Sequence, residues 1–554
     1  MNSMYRFFIV ACAAMQVVCI DGVAENARVG LTVILDKINM PTVIKTAILP
    51  GDKQESIFVT TQHGEIWMLR DGKSKIILDI SHANKGPVLK LGNIVGAADK
   101  TYDERGLLGI EFHPEFSTNG RFFLYYSTME HTPKLQEPPV PNSCKPETIN
   151  VRWTDHNKYS HVNVVEEWHF KSLKKITKVR RFLAIKHPFF NHDSINNLFW
   201  SKELNRLLVL TGDGGFRDGP FNLSQDDRYF HGKLIAIDTQ SNVWKKYAAK
   251  PVAEFPELPR SVLQHIKVLI KGVRNWSGLT EYHQQSGESL SADGRRIKAD
   301  EQSIKAGEKS IKFVGQPGQD NVEAVFAFTS FNLAQAIKGA DNKAQTEDVD
   351  EMDRITASKD AAHLEYKVVS PASERPLNFG WRAWEGGWPN AQYLDCKKRT
   401  FTYRSGPLMG TTYFHEAVAL DTERRLPYCE YFHLDKRPGK VNGVCITSQQ
   451  VYTGKAIPAL TDHLVISDWA ESIGVAFPQG VSTKRGFLLR VPIDDKLTAL
   501  HDFDKIEIEH DFKKQAFFTV LGANKSQDRL FLGTYETAGT TTLHLGTIYE
   551  IVPN

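Results

Sequence analysis

Short apolar runs separated by turn residues recur along the chain. The clearest runs occupy residues 57–61, 64–69, 206–211, 464–467, 487–491, 530–534 and 547–552. Runs of this length, bounded by glycine and polar residues, predict β-strands, and long amphipathic helical patterns are scarce. The pattern therefore predicts an all-β fold, either a propeller or a sandwich, although the repeats are too degenerate to count blades.

The stretch 102–127 shows the most detailed version of this pattern. A polar loop leads into an apolar run that begins at Leu107, and turn residues follow at His113-Pro114 and Asn119-Gly120. A second run, rich in aromatic residues, continues to Ser127. Two apolar runs joined by such turns predict an antiparallel hairpin within one sheet.

Composition limits the class of protein only loosely. The chain has 554 residues and is 41% hydrophobic, which is enough for one large core or for a few ordinary ones. Its 68 Lys and Arg residues oppose 65 Asp and Glu residues, for a formal net charge of +3, and no dense basic block stands out. A nucleic-acid partner is therefore not expected.

The first 24 residues have the pattern of a secretory signal peptide. Arg6 precedes an apolar run that extends to Ile20, and small residues stand at the expected cleavage position near Ala24. A retained N-terminal anchor is the alternative. No later apolar stretch approaches the length of a membrane span, so we expect a secreted or periplasmic mature chain without such a span.

Export permits disulfide bonds. The cysteines that remain after removal of the signal are Cys144, Cys396, Cys429 and Cys445, and their spacing does not match a metal site. Two disulfides are therefore favoured over a zinc site. We expect Cys429 to pair with Cys445, although the sequence leaves the other connectivities open.

Two polar segments interrupt the strand pattern. Residues 280–309 are dominated by polar and charged side chains, and residues 339–377 carry an acidic group between Glu347 and Asp353. Both segments predict loop insertions with little to bury. The acidic group is better explained as a solvated face than as a calcium loop, because it lacks the glycine turn and terminal glutamate of an EF-hand.

The candidate chemistry centres on a histidine near a glycine-rich turn. His192 lies in a loop before a predicted strand, and Asp213 lies in a Gly-Asp-Gly-Gly sequence after that strand. An imidazole can act as a general base near neutral pH, and a carboxylate can fix its tautomer. A histidine in a loop is more often structural, but the glycine-rich turn favours a ligand site because it lets the backbone approach a ligand closely.

The order of these motifs resembles that of the glucose/sorbosone dehydrogenase family. The matching segments are 102–116, 190–194, 211–215, 270–279, 314–323 and 378–386, the last of which is expected to be architectural. The resemblance extends over residues 30–552. It implies a single six-bladed β-propeller with long loop insertions, which oxidises sugars with pyrroloquinoline quinone (PQQ) and calcium. Hedgehog-interacting relatives share this domain. The resemblance to them implies the alternative, a cofactor-free propeller that acts as a binding module.

The resemblance also assigns roles to individual residues. His192 would take the proton from the anomeric hydroxyl of the sugar, with Asp213 as its orienting partner. Arg274 and Asn275 would hold PQQ, since an arginine fork beside an amide suits a planar, carboxylated ligand. The turn that would hold calcium through oxygen donors contains Gly315, Gln316, Pro317 and Glu323.

Some positions depart from the family pattern. Glu104 stands where a glutamine commonly faces the cofactor, and we expect Arg105 to neutralise it. Thr453 stands where relatives carry a lysine that contacts a cofactor carboxylate. Lys484 and Arg485 are the expected replacements, and both are therefore predicted to bind the cofactor.

The sequence thus predicts a PQQ- and calcium-dependent dehydrogenase that acts on an aldose or related polyol and passes electrons to an external acceptor. The alternative is a cofactor-free propeller that binds a protein or glycan partner. His192, Asp213 and Arg274 favour the enzyme, whereas Glu104 and Thr453 favour the alternative. A serine hydrolase is set aside because no Gly-x-Ser-x-Gly elbow occurs in a strand-to-helix context.

Overall fold

Antiparallel strands dominate the part of the chain that the computed structural model describes. That part comprises residues 27–91, 103–129, 159–216, 219, 221–283, 288–290, 296–298, 310–319, 322–329, 332–333, 376–390, 425–435, 440–472, 485–494, 496–497, 500–512, 515–536 and 545–554. The predicted signal peptide, Cys144, Cys396, Lys484 and most of segment 339–377 lie outside these residues.

The first two complete sheets each contain four antiparallel strands in chain order. The first sheet consists of β2 (Pro41–Ile48), β3 (Glu55–Thr61), β4 (Glu65–Arg70) and β5 (Lys73–Asp79). The second consists of β6 (Leu107–Phe112), β7 (Arg121–Thr128), β8 (His161–Ser172) and β9 (Lys175–His187). The predicted hairpin within residues 102–127 is confirmed as β6 paired with β7. A short helix, α1 (Phe116–Asn119), precedes the turn, and Gly120 ends it with a φ of 65°.

The next two sheets continue the series. The third sheet consists of β10 (Leu198–Ser201), β11 (Arg206–Thr211), β12 (Lys233–Ile237) and β13 (Ile266–Lys271), with β19 (Leu377–Asn378) added in parallel to β13. The fourth consists of β14 (Leu279–His283), β17 (Ser310–Gln316), β18 (Val322–Thr329) and β22 (Cys429–Phe432). Small hairpins are formed by β15 (Glu288–Leu290) with β16 (Arg296–Lys298), and by β20 (Trp384–Glu385) with β21 (Trp388–Pro389). The predicted insertion at 280–309 therefore begins inside β14.

The remaining strands form one eight-stranded sheet. Its order is β23 (Ile446–Tyr452), β24 (His463–Asp468), β25 (Phe487–Pro492), β26 (Asp504–Glu509), β1 (Arg28–Asn39), β29 (Leu545–Pro553), β28 (Leu530–Glu536) and β27 (Ala516–Ala523). All its neighbouring strands pair antiparallel except β26 and β1, which run parallel over three residue pairs. The described strands thus form a propeller-like arrangement of four blades and one larger sheet, rather than six separate blades.

The predicted strands are confirmed where the apolar pattern was clearest. The hairpins β3–β4, β24–β25 and β28–β29 join the runs expected from the sequence. In the described part of the chain, other short helical segments are α2 (Arg260–Leu263) and the 3-10 turns at Asn242–Lys245, Phe255–Glu257 and Pro458–Leu460. Among the described residues, no helix is long and apolar enough to cross a membrane.

Apolar clusters lie between successive sheets. Members from the two neighbouring sheets are Phe58 and Leu124, Phe123 and Leu207, Leu210 and Val314, and Phe313 and Leu464. Two further clusters contain Val465 with Leu521, and Ile44 with Phe531, so they place β27–β29 between β23–β25 and the first sheet. Each fully buried large side chain contributes roughly 1.5–3 kcal/mol. The chain therefore stabilises itself by face-to-face packing of sheets, and the loops at the strand ends are left to form a site.

Candidate functional site

The two residues predicted to form the catalytic pair lie side by side. His192 belongs to the loop between β9 and β10, which we call the base loop (residues 188–197), and Asp213 follows β11 after Gly212. The Nδ1 atom of His192 lies 2.7 Å from Oδ1 of Asp213, and both residues are buried. Because an ionised carboxylate only accepts hydrogen bonds, Nδ1 carries the proton. The Nε2 atom of His192, which no described residue contacts through a hydrogen bond, is left as a proton acceptor.

Asp213 is itself held by two further donors. The indole Nε1 of Trp381 donates to its Oδ2 at 2.7 Å, and the backbone N–H of Gly215 donates to its Oδ1 at 3.0 Å. The glycine-rich turn therefore serves the carboxylate directly. Trp381 was not predicted as a site residue, although its Asn-Phe-Gly-Trp motif was a clear match to the family.

The base loop has a strained backbone that neighbouring side chains hold in place. His192 and Ser194 have φ angles of 64° and 62°, in the left-handed region that residues with a Cβ rarely adopt. Glu104 accepts a hydrogen bond from the backbone N–H of His192 at 2.5 Å. Asn275 accepts from both the backbone N–H and the hydroxyl of Ser194, at 2.9 and 3.0 Å. Glu104 and Asn275, which were predicted to bind the cofactor, thus position the base loop.

Arg274 faces the same region as Glu104. Burial raises the pKa of Glu104, while the nearby His192 and Arg274 oppose that shift. The Nη1 atom of Arg274 donates to the carbonyl of Pro317 at 3.3 Å, and its guanidinium carbon lies 5.9 Å from the centre of the Trp381 ring. Its Nε atom is buried and has no hydrogen-bond partner among the described residues. This orphaned donor is available to an acceptor that enters the site.

The other predicted cofactor contacts are placed differently. The buried guanidinium of Arg105 forms two hydrogen bonds of 2.9 Å with the carboxylate of Asp103. The expected pairing of Arg105 with Glu104 is therefore wrong, because Asp103 supplies the closer carboxylate. Arg485 is exposed, and its guanidinium lies 5.2 Å from the ring of Phe512, which follows β26.

The four residues predicted to hold calcium do not form an open set of oxygen donors. The carbonyl of Gly315 accepts from the backbone of Ser277, and that of Pro317 accepts from Arg274. Both carboxylate oxygens of Glu323 are also engaged: Oε1 lies 2.6 Å from His433 Nε2, and Oε2 accepts from the backbone N–H of Ile446 at 2.7 Å. Only the buried side chain of Gln316 has polar atoms without a partner in the described region. Since calcium takes six to eight oxygen ligands, this set does not fit it.

A second carboxylate lies close to Glu323. Asp468 is fully buried, and its Oδ1 accepts from the backbone N–H groups of Val444, Cys445 and Ala470. Burial, reinforced by the negative charge of Glu323, raises the pKa of Asp468 from 3.8 to about 7. Burial also raises the pKa of the Cys445 thiol, and the carboxylates of Glu323, Asp468 and Glu104 add to the effect. The Cys445 thiol therefore lies near Glu323 and Asp468 and is also close enough to Glu104, beside the base loop, to be affected by its charge.

The expected disulfide between Cys429 and Cys445 is wrong. Both residues are free thiols, with Cys429 buried in β22 and Cys445 partly exposed before β23. Cys429 is paired in register with Val325 of β18, so the sheet fixes its position. The number and spacing of cysteines in the sequence cannot reveal such a constraint.

Comparisons with known proteins return the two groups that the motifs resemble. The HIPL1 protein of Arabidopsis thaliana is 24% identical over 212 residues, which cover 34% of this chain and 28% of that protein. The mouse Hedgehog-interacting protein is 30% identical over 83 residues, 15% of this chain and 11% of that protein. The chain is similar to both. It spans about a third or less of the length of these curated relatives.

Among solved structures, similar chains include sugar dehydrogenases. The PQQ-bound aldose sugar dehydrogenase of Streptomyces coelicolor has a TM-score of 0.44 and 14% identity, with 95% of this chain and 98% of that chain covered. The soluble aldose sugar dehydrogenase of Escherichia coli in its apo form has a TM-score of 0.44 and 12% identity, with 95% and 100% covered. No family model matches the chain.

Proposed function

We propose that this protein is an oxidoreductase that oxidises an aldose or related polyol, with His192 as the base. The observation that carries the proposal is the buried pair of His192 and Asp213, which leaves one imidazole nitrogen as an acceptor. The proton of the substrate hydroxyl would pass to His192 Nε2. Asp213 would then stabilise the imidazolium through the hydrogen bond at Nδ1, as positioned carboxylates do in other base catalysts.

PQQ is the cofactor that we propose. When bound, it would supply the acceptor for the substrate's hydride, and the two electrons of that hydride would then pass to an external acceptor. Its carboxylates fit the orphaned Nε of Arg274, and the amide of Asn275 retains donors at Nδ2 because Oδ1 alone contacts the base loop. Glu104 opposes an anionic ligand, but its raised pKa favours the neutral form that such a ligand requires. Calcium does not fit the predicted set, so none of these steps depends on it.

The decisive experiment combines binding and turnover. Purified protein is given PQQ, with and without calcium, and reduction of an artificial electron acceptor is followed with a panel of aldoses. We expect His192→Ala to lower turnover by at least about 10²-fold while PQQ binding remains. His283→Gln is the matched control, since His283 is an exposed histidine at the end of β14. Absence of PQQ binding at micromolar concentration, with calcium present, would contradict the proposal.

A second candidate function is a cofactor-free binding module. The observation in its favour is the concentration of carboxylates around the site: Glu323 raises the pKa of the buried Asp468, and Glu323, Asp468 and Glu104 all raise the pKa of the Cys445 thiol. A protein or glycan partner recovered by affinity capture, with unchanged affinity in His192→Ala, would favour this function over the enzyme.

We also propose that the fold is a six-bladed propeller and that the mature protein is secreted or periplasmic. The eight-stranded sheet would divide at its short parallel junction into β23–β26 and a last blade of β27–β29 with β1. Apolar clusters on both faces of β27–β29 support this division. Cleavage after residue 24, read by N-terminal sequencing of exported protein, tests the proposed location.

A further inference from the structure

Three buried side chains with metal-ligating atoms lie behind the base loop. His161 begins β8, His187 ends β9, and Asp193 follows His192 in the base loop. Their exposed fractions are 1%, 2% and 0%. One potential ligand atom of each residue lies within 4.8 Å of those of the other two. His187 and Asp193 are close in the sequence, but His161 lies in the preceding strand, so only the pairing of β8 with β9 brings the three residues together.

Sheet register brings the two histidines together. His161 and His187 are direct partners in the antiparallel ladder of β8 and β9, and their rings stack with centroids 4.8 Å apart. Asp193 Oδ1 lies 2.6 Å from His161 Nε2 and 3.8 Å from His187 Nε2. Cross-strand neighbours are held by backbone hydrogen bonds, so the two nitrogen donors are preorganised by the sheet rather than by a flexible loop.

The cluster contains buried polar atoms that the protein does not satisfy. Within the described part of the chain, Asp193 Oδ2 and His187 Nε2 are buried and make no hydrogen bond. The Nδ1 atom of His187 lies 2.8 Å from the carbonyl of Phe189. A carbonyl can only accept, so Nδ1 carries the proton and Nε2 presents a lone pair towards Asp193. Metal-binding histidines commonly donate their second N–H to a backbone carbonyl in this way.

We propose that His161, His187 and Asp193 bind one divalent transition-metal ion of the zinc class. Two imidazoles and one carboxylate are an established donor set for zinc, whereas calcium and magnesium take oxygen ligands. The ion would take the place of the proton between His161 Nε2 and Asp193, and that proton would move to His161 Nδ1, which has no hydrogen-bond partner among the described residues. The ion would also bind the lone pair of His187 Nε2. Through Asp193, the ion would link the base loop to β8 and β9 at the residue next to His192. The site uses none of the residues proposed to hold PQQ and does not depend on the proposed reaction.

A second group in the described residues supplies the matched control. Glu203, Glu281 and His283 also bring three ligand atoms within 4.8 Å of one another, but two of them are exposed. The ammonium group of Lys312 forms ion pairs with both glutamates, so a cation already occupies part of that group. Binding at this exposed group would be a surface effect.

The test uses the full chain, stripped with a chelator, unfolded and refolded with or without Zn²⁺, because a buried ion can require folding to enter. We expect one Zn²⁺ per chain by elemental analysis after dialysis, unchanged in His283→Gln and bound at least tenfold more weakly in His187→Gln. Circular dichroism checks the fold of each variant. Refolding wild-type protein with Co²⁺ should give visible absorption bands of nitrogen and oxygen coordination, a readout that needs no variant.

Two results would overturn the proposal. One is wild-type protein that retains no Zn²⁺ after refolding and gives no Co²⁺ bands. The other is a stoichiometry that falls in His283→Gln but not in folded His187→Gln, which would assign the ion to the exposed group.

Discussion

The raised pKa of Asp468 leads to a prediction about how stability depends on pH. The substitution Asp468→Asn preserves the side-chain oxygen that accepts from three backbone N–H groups. Its amide nitrogen also replaces Oδ2, which accepts from the hydroxyl of Tyr431 at 2.8 Å. The variant therefore resembles the protonated side chain and removes the titration without opening a cavity.

The magnitude follows from proton linkage. In the unfolded chain the carboxyl group titrates near 3.8, and in the folded protein it titrates near 7. Between these values the folded state holds a proton that the unfolded state has released, so the free energy of unfolding falls as pH rises. At about 1.4 kcal/mol per pH unit, the loss between pH 5 and pH 8 is roughly 3 kcal/mol. Asp468→Asn does not share this loss.

The assay is urea unfolding of both proteins at pH 5 and pH 8, with equal m-values as the check that both lose the same structure. The difference in free energy of unfolding between variant and wild type should shift by roughly 3 kcal/mol in favour of the variant at pH 8. Glu323→Gln should reduce this shift, because it removes the neighbouring negative charge. Parallel pH profiles for wild type and Asp468→Asn would refute the reasoning.

Further predictions concern the base loop and the thiols. Asp213→Asn should lower the proposed sugar oxidation by about 10²- to 10⁴-fold in steady-state assays, with KM changing much less than kcat. Gly212→Ala would place a Cβ 1.6 Å from the carbonyl oxygen of His192. It should lower the free energy of unfolding by about 1–3 kcal/mol in urea and displace the base loop. Cys429 and Cys445 should both be alkylated after unfolding without reductant, as read by peptide mass spectrometry.

Structural features that depend on a short local pattern could be predicted from the sequence. Alternating or short apolar runs predicted β11 and β24 closely, because side-chain periodicity and turn residues act over a few positions. The pairing of His192 with Asp213 was also predictable from motif order. A glycine-rich turn at a strand end lets the backbone come close to another group, so its position in the sequence indicates where a site can form.

Pairing between distant segments could not be read in the same way. Two carboxylates, Asp103 and Glu104, precede Arg105 in the sequence. Only the folded loop determines that the guanidinium of Arg105 pairs with Asp103. Glu323 looked like a metal ligand because of its turn, but His433 and Ile446 reach its carboxylate from segments more than a hundred residues away. The partnership of His161 with His187 depends on the register of one hairpin, which apolar alternation does not specify to the residue.

The pairing of β1 with β29 has a consequence for how the chain acquires its structure. At a synthesis rate of about 5–20 residues per second, the roughly 500 residues between these strands take on the order of 25–100 s to appear. During that interval β1 has neither its antiparallel partner β29 nor its parallel partner β26. An unpaired strand of this kind is open to contact with other chains. Newly made protein therefore depends on protection of its earliest strand until its last one arrives.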